Sequence, residues 1–393
     1  MDRIAQFTKT YRDLNLFPLF KAEDIKDFRV PYGQRALRKL RQEIAASEEN
    51  GKLIFTGHRG CGKSTLLSQL ADQAREDGLF VVGFSIADMV EMSDVNHINI
   101  LYSIALRLME KAVSHKDVVI PKDVQTKLIN WFTQTRSRVY TEQVQAQASI
   151  GGNLFGFLTG KLQTEKAFRD EIKESYENNV SDLTQQIDLI AGAIQGAIKK
   201  PVLVIIDDLD KLDLPVVRSI FEEHINSLYL PRIRVLFTIP VAVIRETRLL
   251  MTLKSRSQII QLPVTKFFHK DTAHQPGAAP IESSVNTLLS VLEKRIPEEL
   301  IEPEMKQEIV MLSGGVLREL MRLGQECCRE CLFELDVNPQ RTDIKIDAAI
   351  LQEAAKNLRI EYTRPLGNNL LDLLVSTYER FSPPDATSDE FLE

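Results

Sequence analysis

Leu53-Ile-Phe-Thr-Gly57-His-Arg-Gly60-Cys-Gly62-Lys63-Ser64-Thr65-Leu-Leu carries an apolar run into a glycine-rich loop and then into helix-period sequence. The spacing G-x-x-x-x-G-K-S is that of a phosphate-binding loop. Triphosphate oxygens need many donors converging on a small volume. Glycines at the mouth of a helix expose successive backbone N–H groups, the helix dipole adds positive potential, and a flexible ammonium reaches the terminal phosphates. Lys63 is that ammonium, and Ser64 offers a hydroxyl to Mg²⁺. Gly57, His58, Arg59, Gly60, Cys61, Gly62, Lys63, Ser64 and Thr65 are therefore the candidate nucleotide-binding residues. The helix that follows places Leu66, Leu67, Leu70 and Ala74 on its apolar side and ends near Gly78.

Five apolar, β-rich runs stand out at residues 52–56, 79–84, 201–206, 233–239 and 258–262, with helix-period sequence between them. That alternation predicts an α/β fold in which a parallel five-stranded sheet is sandwiched by helices, with ligands at the carboxyl ends of the strands. The third run, Pro201-Val-Leu-Val-Ile-Ile206-Asp207-Asp208-Leu-Asp210-Lys211, delivers carboxylates to such an end. Asp207 is the candidate for holding Mg²⁺ together with Ser64, and Asp208 for polarising the attacking water. Thr238, near the end of Arg234-Val-Leu-Phe-Thr-Ile-Pro240, can bond that water or the γ-phosphate, or serve as a satisfied strand-end hydroxyl.

Ahead of the loop, Val30-Pro31-Tyr32-Gly33 breaks the chain, and Gln34 to Ala45 reads as a helix with Leu37, Leu40 and Ile44 on one side. Arg35, Arg38, Lys39 and Arg41 make its other side a basic, solvated face. The stretch between the second and third runs far exceeds an ordinary crossover and reads as a helical insertion at about residues 91–200. It opens with an amphipathic helix (Ile98, Leu101, Tyr102, Ala105, Leu108, Met109), passes Trp131 and Phe132, and returns through one long polar helix to Ile187–Ile198. Between them, Ser149-Ile-Gly151-Gly152-Asn-Leu-Phe155-Gly156-Phe157-Leu-Thr-Gly160 reads either as a turn packed on its own helices or as a contact for a partner, a membrane surface or a neighbouring subunit.

Residues 1–270 are thus expected to form the nucleotide-binding α/β domain. The stretch from Asp271 to Pro280 is a loop, and residues 281–360 form a helical lid domain with apolar faces at Val285/Leu288/Leu289/Leu292/Ile296, Met305/Ile309/Leu312 and Val316/Leu320/Leu323/Cys327/Cys331, plus a fourth helix after Asp347. Residues 361–393 are acidic, with two Arg against seven Asp or Glu, and Ser388-Asp-Glu-Phe-Leu-Glu393 reads as the capped first turn of a helix opening a further domain.

A 393-residue chain with 44% hydrophobic content supports a globular core, and a net charge of -6 rules out a general electrostatic sponge for nucleic acid. A chain of this kind, without a basic-then-apolar leader or an apolar run of about 18 residues, is expected in the cytoplasm, without a transmembrane segment. Of the four cysteines, Cys61 lies in the loop and Cys327, Cys328 and Cys331 share one helix. With no second Cys or His pair nearby, they read as core rather than as a zinc site.

Taken together, these motifs resemble AAA+ P-loop ATPases, and within them the clade shared by replication-initiator (origin-recognition) and STAND-type NTPases. Ser313-Gly314-Gly315-Val-Leu-Arg318 is similar to that clade's second sensor, in which a Gly pair starts a lid helix and an Arg, here Arg318, contacts the γ-phosphate. Leu253-Lys254-Ser255-Arg256 resembles the stretch carrying the arginine finger, with Arg256 the best match and Arg245 and Arg248 the alternatives. Phe28-Arg-Val-Pro31-Tyr32-Gly-Gln-Arg35 resembles the segment that wraps adenine, which nominates Tyr32 and Arg35. Asp208 stands where most members carry Glu, which favours a slow nucleotide switch.

The resemblance implies an ATP- and Mg²⁺-dependent ATPase switch that self-assembles and controls a protein partner, with DNA as a partner by family analogy, in a DNA transaction or in prokaryotic defence. The alternatives are an ATP-dependent scaffold that hydrolyses slowly or not at all, and a membrane-associated KAP-type NTPase suggested by Asp-Asp-Leu-Asp and the glycine-rich insertion.

Overall fold

The computed structural model describes residues 2–19, 22–134, 154–338, 340–341, 343–364, 366–385 and 388. The chain divides into two compact units, one of Arg35–Thr56 and Leu67–Gln261, the other of Met1–Gln34, Gly57–Leu66 and Leu262–Leu392.

The first unit is built on the sheet. Its strands are β1 (Lys52–Gly57), β2 (Phe80–Ser85), β3 (Val202–Asp207), β4 (Arg234–Ile239) and β5 (Gln258–Leu262), in the order β2-β3-β4-β1-β5. Each lies within a residue of its apolar run. β1 pairs in parallel with β4, β4 with β3 and β3 with β2. Every residue of β1 is buried, which is why its sequence is continuously apolar rather than alternating. Of its two polar side chains, Thr56 donates to the Ile239 carbonyl at 3.0 Å, and Lys52 donates from Nζ to the carbonyls of Asn50, Pro231 and Ile233 at 2.6, 2.9 and 2.9 Å, with burial lowering its pKa to about 8. It ties the entrance of β1 to that of β4.

Helices of the insertion share one core with the sheet. The His97–Ser114 helix starts on an Asn96 cap, whose side chain accepts from the N–H groups of Ile98 and Asn99, and Ile98, Leu101, Tyr102, Ala105, Leu108 and Met109 are all buried. It packs on β2 and on the Val180–Ile198 helix. The expected single polar helix is two, Lys166–Glu177 and Val180–Ile198. Asn178 and Asn179 cause the break, because their short amides compete with the helical backbone ladder. Within the glycine-rich segment, Leu154–Thr164 is a helix that buries Leu154, Phe155, Leu158 and Leu162, with Phe155 edge-on to Phe132 at 5.5 Å. Residues 149–153 of that segment lie outside the described residues.

Arg169 fastens the insertion to the turn after β2. Only 1% exposed, it bonds the Asp94 carboxylate at 2.6 and 3.0 Å, Glu91 at 2.9 Å, and the carbonyls of Leu162 and Gln163. All of its buried donors find acceptors, as the cost of a buried charge requires.

The second unit has its own core, made by helices Arg3–Asp13, Glu282–Glu293, Pro303–Leu312, Leu317–Val337 and Ala348–Thr363. The N-terminal helix packs Phe7 and Thr10 inward and lies along Leu317–Val337. Leu14 meets Gly324 there, where a Cβ would sit 3.1 Å from it. Cys327, Cys328 and Cys331 are buried, and burial pushes the Cys328 thiol up to about 12. They fill space as small hydrophobes. Asp347 caps Ala348–Thr363 through the Ile350 N–H at 2.9 Å. Met305 and Ile309 are buried as their spacing predicts, but Leu312 is 52% exposed because its helix ends there. The Asp389–Glu393 stretch, read as the start of a further helix, lies outside the described residues.

Candidate functional site

In the second unit the phosphate loop turns back through two left-handed glycines, Gly60 at φ 84° and Gly62 at φ 87°. A side chain at either is strained. A Cβ on Gly57 would meet the Leu262 carbonyl oxygen at 2.6 Å, so that residue too admits only hydrogen. Lys63, at the head of the Lys63–Glu76 helix, donates from Nζ to the carbonyls of Gly57 and His58, both at 2.8 Å. Cys61 is buried beneath the loop, Ser64 is half-buried and Arg59 is exposed. Thr65 accepts from the Leu19 N–H at 3.3 Å. Partial desolvation, then the Lys63 ammonium, lowers the pKa of His58.

The first turn of the Leu317–Val337 helix meets this loop. The Arg318 N–H donates to the Gly60 carbonyl at 3.0 Å, and a Cβ on Gly60 would lie 2.6 Å from that of Arg318. A Cβ on Gly62 would lie 2.9 Å from Leu317 and 3.6 Å from the Tyr32 ring. The Gly pair sits just before that helix, both in left-handed conformations. The backbone approaches so closely there that a Cβ on Gly315 would be 1.9 Å from the Thr265 oxygen. Tyr32, Gly60, Gly62, Leu317 and Arg318 thus form one cluster. The Tyr32 hydroxyl is buried without a hydrogen bond of good geometry. Burial raises its pKa and Thr265 draws it part of the way back.

At the end of β3, in the first unit, oxygens of Asp207, Asp208 and Asp210 lie within 4.8 Å of one another. That is a donor set suited to a hard divalent cation. Asp208 is a left-handed non-glycine residue, φ 68°, whose N–H donates to Asp207 Oδ1 at 2.8 Å. Its carboxylate is engaged twice, by the Ser85 hydroxyl at 2.6 Å and by Lys211 Nζ at 2.7 Å. The Thr238 hydroxyl accepts from the Leu209 N–H at 3.1 Å and donates to the Ile206 carbonyl at 3.3 Å, so it braces the turn that carries the acids. The sequence did not single out Ser85 or Lys211 as partners of Asp208. Ser85 joins Asp208 only because β2 lies beside β3, a neighbourhood that strand spacing along the chain does not reveal.

Of the arginines, Arg256 is exposed after the Thr247–Lys254 helix and bonds Asn226 at 2.5 Å. Arg248 pairs with Glu222 at 2.5 Å, and Arg245 is exposed. Arg35 is exposed near the start of the Gln34–Ala46 helix.

A family model described as mitochondrial ribosomal death-associated protein 3 matches residues 34–92, the segment from the basic helix through β1, the loop and β2. No curated protein matches the chain. Among solved structures, Cdc6p from Pyrobaculum aerophilum is similar at 13% identity and a TM-score of 0.42, over 85% of this chain and 71% of that one. The chain thus combines a five-stranded parallel sheet, a phosphate loop that follows β1, acids that follow β3 and a separate helical core.

Proposed function

We propose that the chain is an ATP-binding and ATP-hydrolysing AAA+ switch that self-assembles and controls a partner, in a DNA transaction or in prokaryotic defence. The observation that carries this reading is the bond from the Arg318 N–H to the Gly60 carbonyl, because a ligand that reshapes the loop must also load the helix that bears Arg318.

The residues fit the groups the fold implies. Two left-handed glycines expose the backbone N–H groups, and a buried lysine holds its ammonium against carbonyls that an anion can replace. The acid trio offers hard oxygen ligands. Gly57 to Thr65 cradle the triphosphate, with Tyr32 and Arg35 toward the base, and Ser64 and Asp207 are the assigned Mg²⁺ holders. Bound Mg²⁺ would supply neutralisation of charge on the β- and γ-oxygens. Asp208 orients and polarises water, Thr238 keeps the acid turn in place, and Arg318 reads the γ-phosphate. Arg256, exposed on its own chain, suits service to a neighbouring copy, where an arginine finger contributes about 10³ to 10⁵ in rate.

A second reading, an ATP-dependent scaffold with little or no turnover, is favoured by the double engagement of the Asp208 carboxylate. Phosphate release with and without DNA, together with particle size with and without a non-hydrolysable ATP analogue, separates the two. Turnover with nucleotide-driven assembly supports the switch. ATP binding without either supports the scaffold, and absence of ATP binding overturns both. No described helix is long and apolar enough to cross a membrane.

A further inference from the structure

Among the described residues β2 is an edge strand of the sheet. Phe80 pairs in register with Val202, Val82 with Val204 and Phe84 with Ile206, and the Phe80 N–H donates to the Pro201 carbonyl at 2.8 Å. Backbone direction alternates in parallel pairing, so Val81 and Gly83 turn their N–H and C=O groups away from β3. Among the described residues no strand covers them. A cleft of about 660 Å³ lies along this edge, with Val81 and Phe155 buried in its floor.

Three features of the cleft point to one kind of occupant. Room for another backbone comes from Gly83, which is exposed and whose added Cβ would meet nothing within 4 Å. Its charge is positive, since Arg75, Arg107 and Lys111 line it against the single carboxylate of Glu110. Arg107 is paired with Glu110 and Arg75 with Asp72, both at 2.6 Å, which leaves the Lys111 ammonium without a partner among the described residues. Beside these cations, exposed Val113 and buried Phe155 offer apolar contact between charged positions. Residues 135–153 of the chain, with Arg136 and Arg138 against Glu142, do not carry the complementary charge.

We propose that this cleft docks an extended acidic segment of a partner protein, which adds to β2 as a further strand. Backbone pairing supplies affinity, the basic rim selects carboxylate side chains, and the apolar floor takes the alternate residues. An exposed edge with unpaired backbone groups is a hazard unless something uses or blocks it. Here a glycine sits where a blocking side chain would fit.

The test uses the full chain and a fluorescein-labelled peptide of alternating valine and glutamate, with lysine in place of glutamate as the control, read by anisotropy. The acidic peptide is expected to bind saturably and less tightly as salt rises, and the lysine peptide to bind at least about tenfold more weakly. Lys111→Glu and Gly83→Phe should each weaken the acidic peptide by about tenfold or more. ATP binding and the thermal transition, unchanged in both variants, show that the fold is intact. Equal binding of the two peptides overturns the proposal, as does equal affinity in the wild type and both variants. A chain that is dimeric at every concentration and admits the peptide only when Gly83→Phe breaks the dimer also overturns it, because the edge is then filled by a second copy.

Discussion

The phosphate loop and the acidic tip of β3 both bring charged groups to a strand end, but they satisfy those groups in opposite ways. Lys63 leans on two carbonyls of its own loop, and the loop's shape is set by glycines. Those bonds are local and pair the ammonium only with uncharged carbonyls, so an anion can take it over with a net gain in charge pairing. Asp208 is held by side chains from elsewhere, Ser85 on the neighbouring strand and Lys211 on the next turn, and its backbone occupies a conformation that a non-glycine residue adopts only under constraint. The loop is arranged for exchange and the tip for retention. Binding and turnover should therefore respond to different substitutions.

The largest effect is expected at Lys63. Lys63→Ala should lower ATP affinity by about a hundredfold or more, since the only ammonium in the loop is lost. An unaltered dissociation constant by calorimetry would break the comparison on its loop side. Asp208→Ala should leave ATP affinity within about twofold while phosphate release falls by about a hundredfold. If binding and turnover fell together, the two regions would not be separable in the way their contacts imply.

Gly60→Ala comes next. It forces a Cβ into a left-handed position already touching Arg318, a strain of about 1–3 kcal/mol, and ATP affinity should fall by about tenfold. Thr238→Val removes the acceptor for the buried Leu209 N–H, so the chain should lose about 1–3 kcal/mol to urea with ATP affinity unchanged. The smallest effect belongs to Lys211→Ala. Half-exposed, its pair with Asp208 should contribute under about 1 kcal/mol to stability, so a large loss would mark the tip as more firmly locked than its exposure implies.

The strands were legible because most are short, largely apolar runs bounded by breakers, and the loop because its glycines and lysine have one physical use together. Helix faces in the bundle were legible from their spacing, down to the inward Cys327 and Cys331. What escaped the sequence depends on spatial neighbours. Nothing in Phe7 or Leu14 announces that the N-terminal helix lies along Leu317–Val337, and Ser85 reads as an ordinary strand-end hydroxyl until β2 and β3 are known to pair. The left-handed turn at Asp208 was not announced by its residue type, since aspartate tolerates that conformation but adopts it only occasionally. Asn178 and Asn179 were visible, but polar periodicity on both sides masked the break between two helices.

The helix that begins at Leu317 lacks a side-chain cap, because its N-cap residue is Val316. The Gly60 carbonyl, accepting from the Arg318 N–H, fills that vacancy from a distant part of the chain. A helix start that borrows its cap frays when the lender moves, at about 1 kcal/mol for a missing cap. The amide of Arg318 is thus a built-in reporter, and its hydrogen-exchange rate should register every rearrangement of the loop before the rest of the bundle feels it.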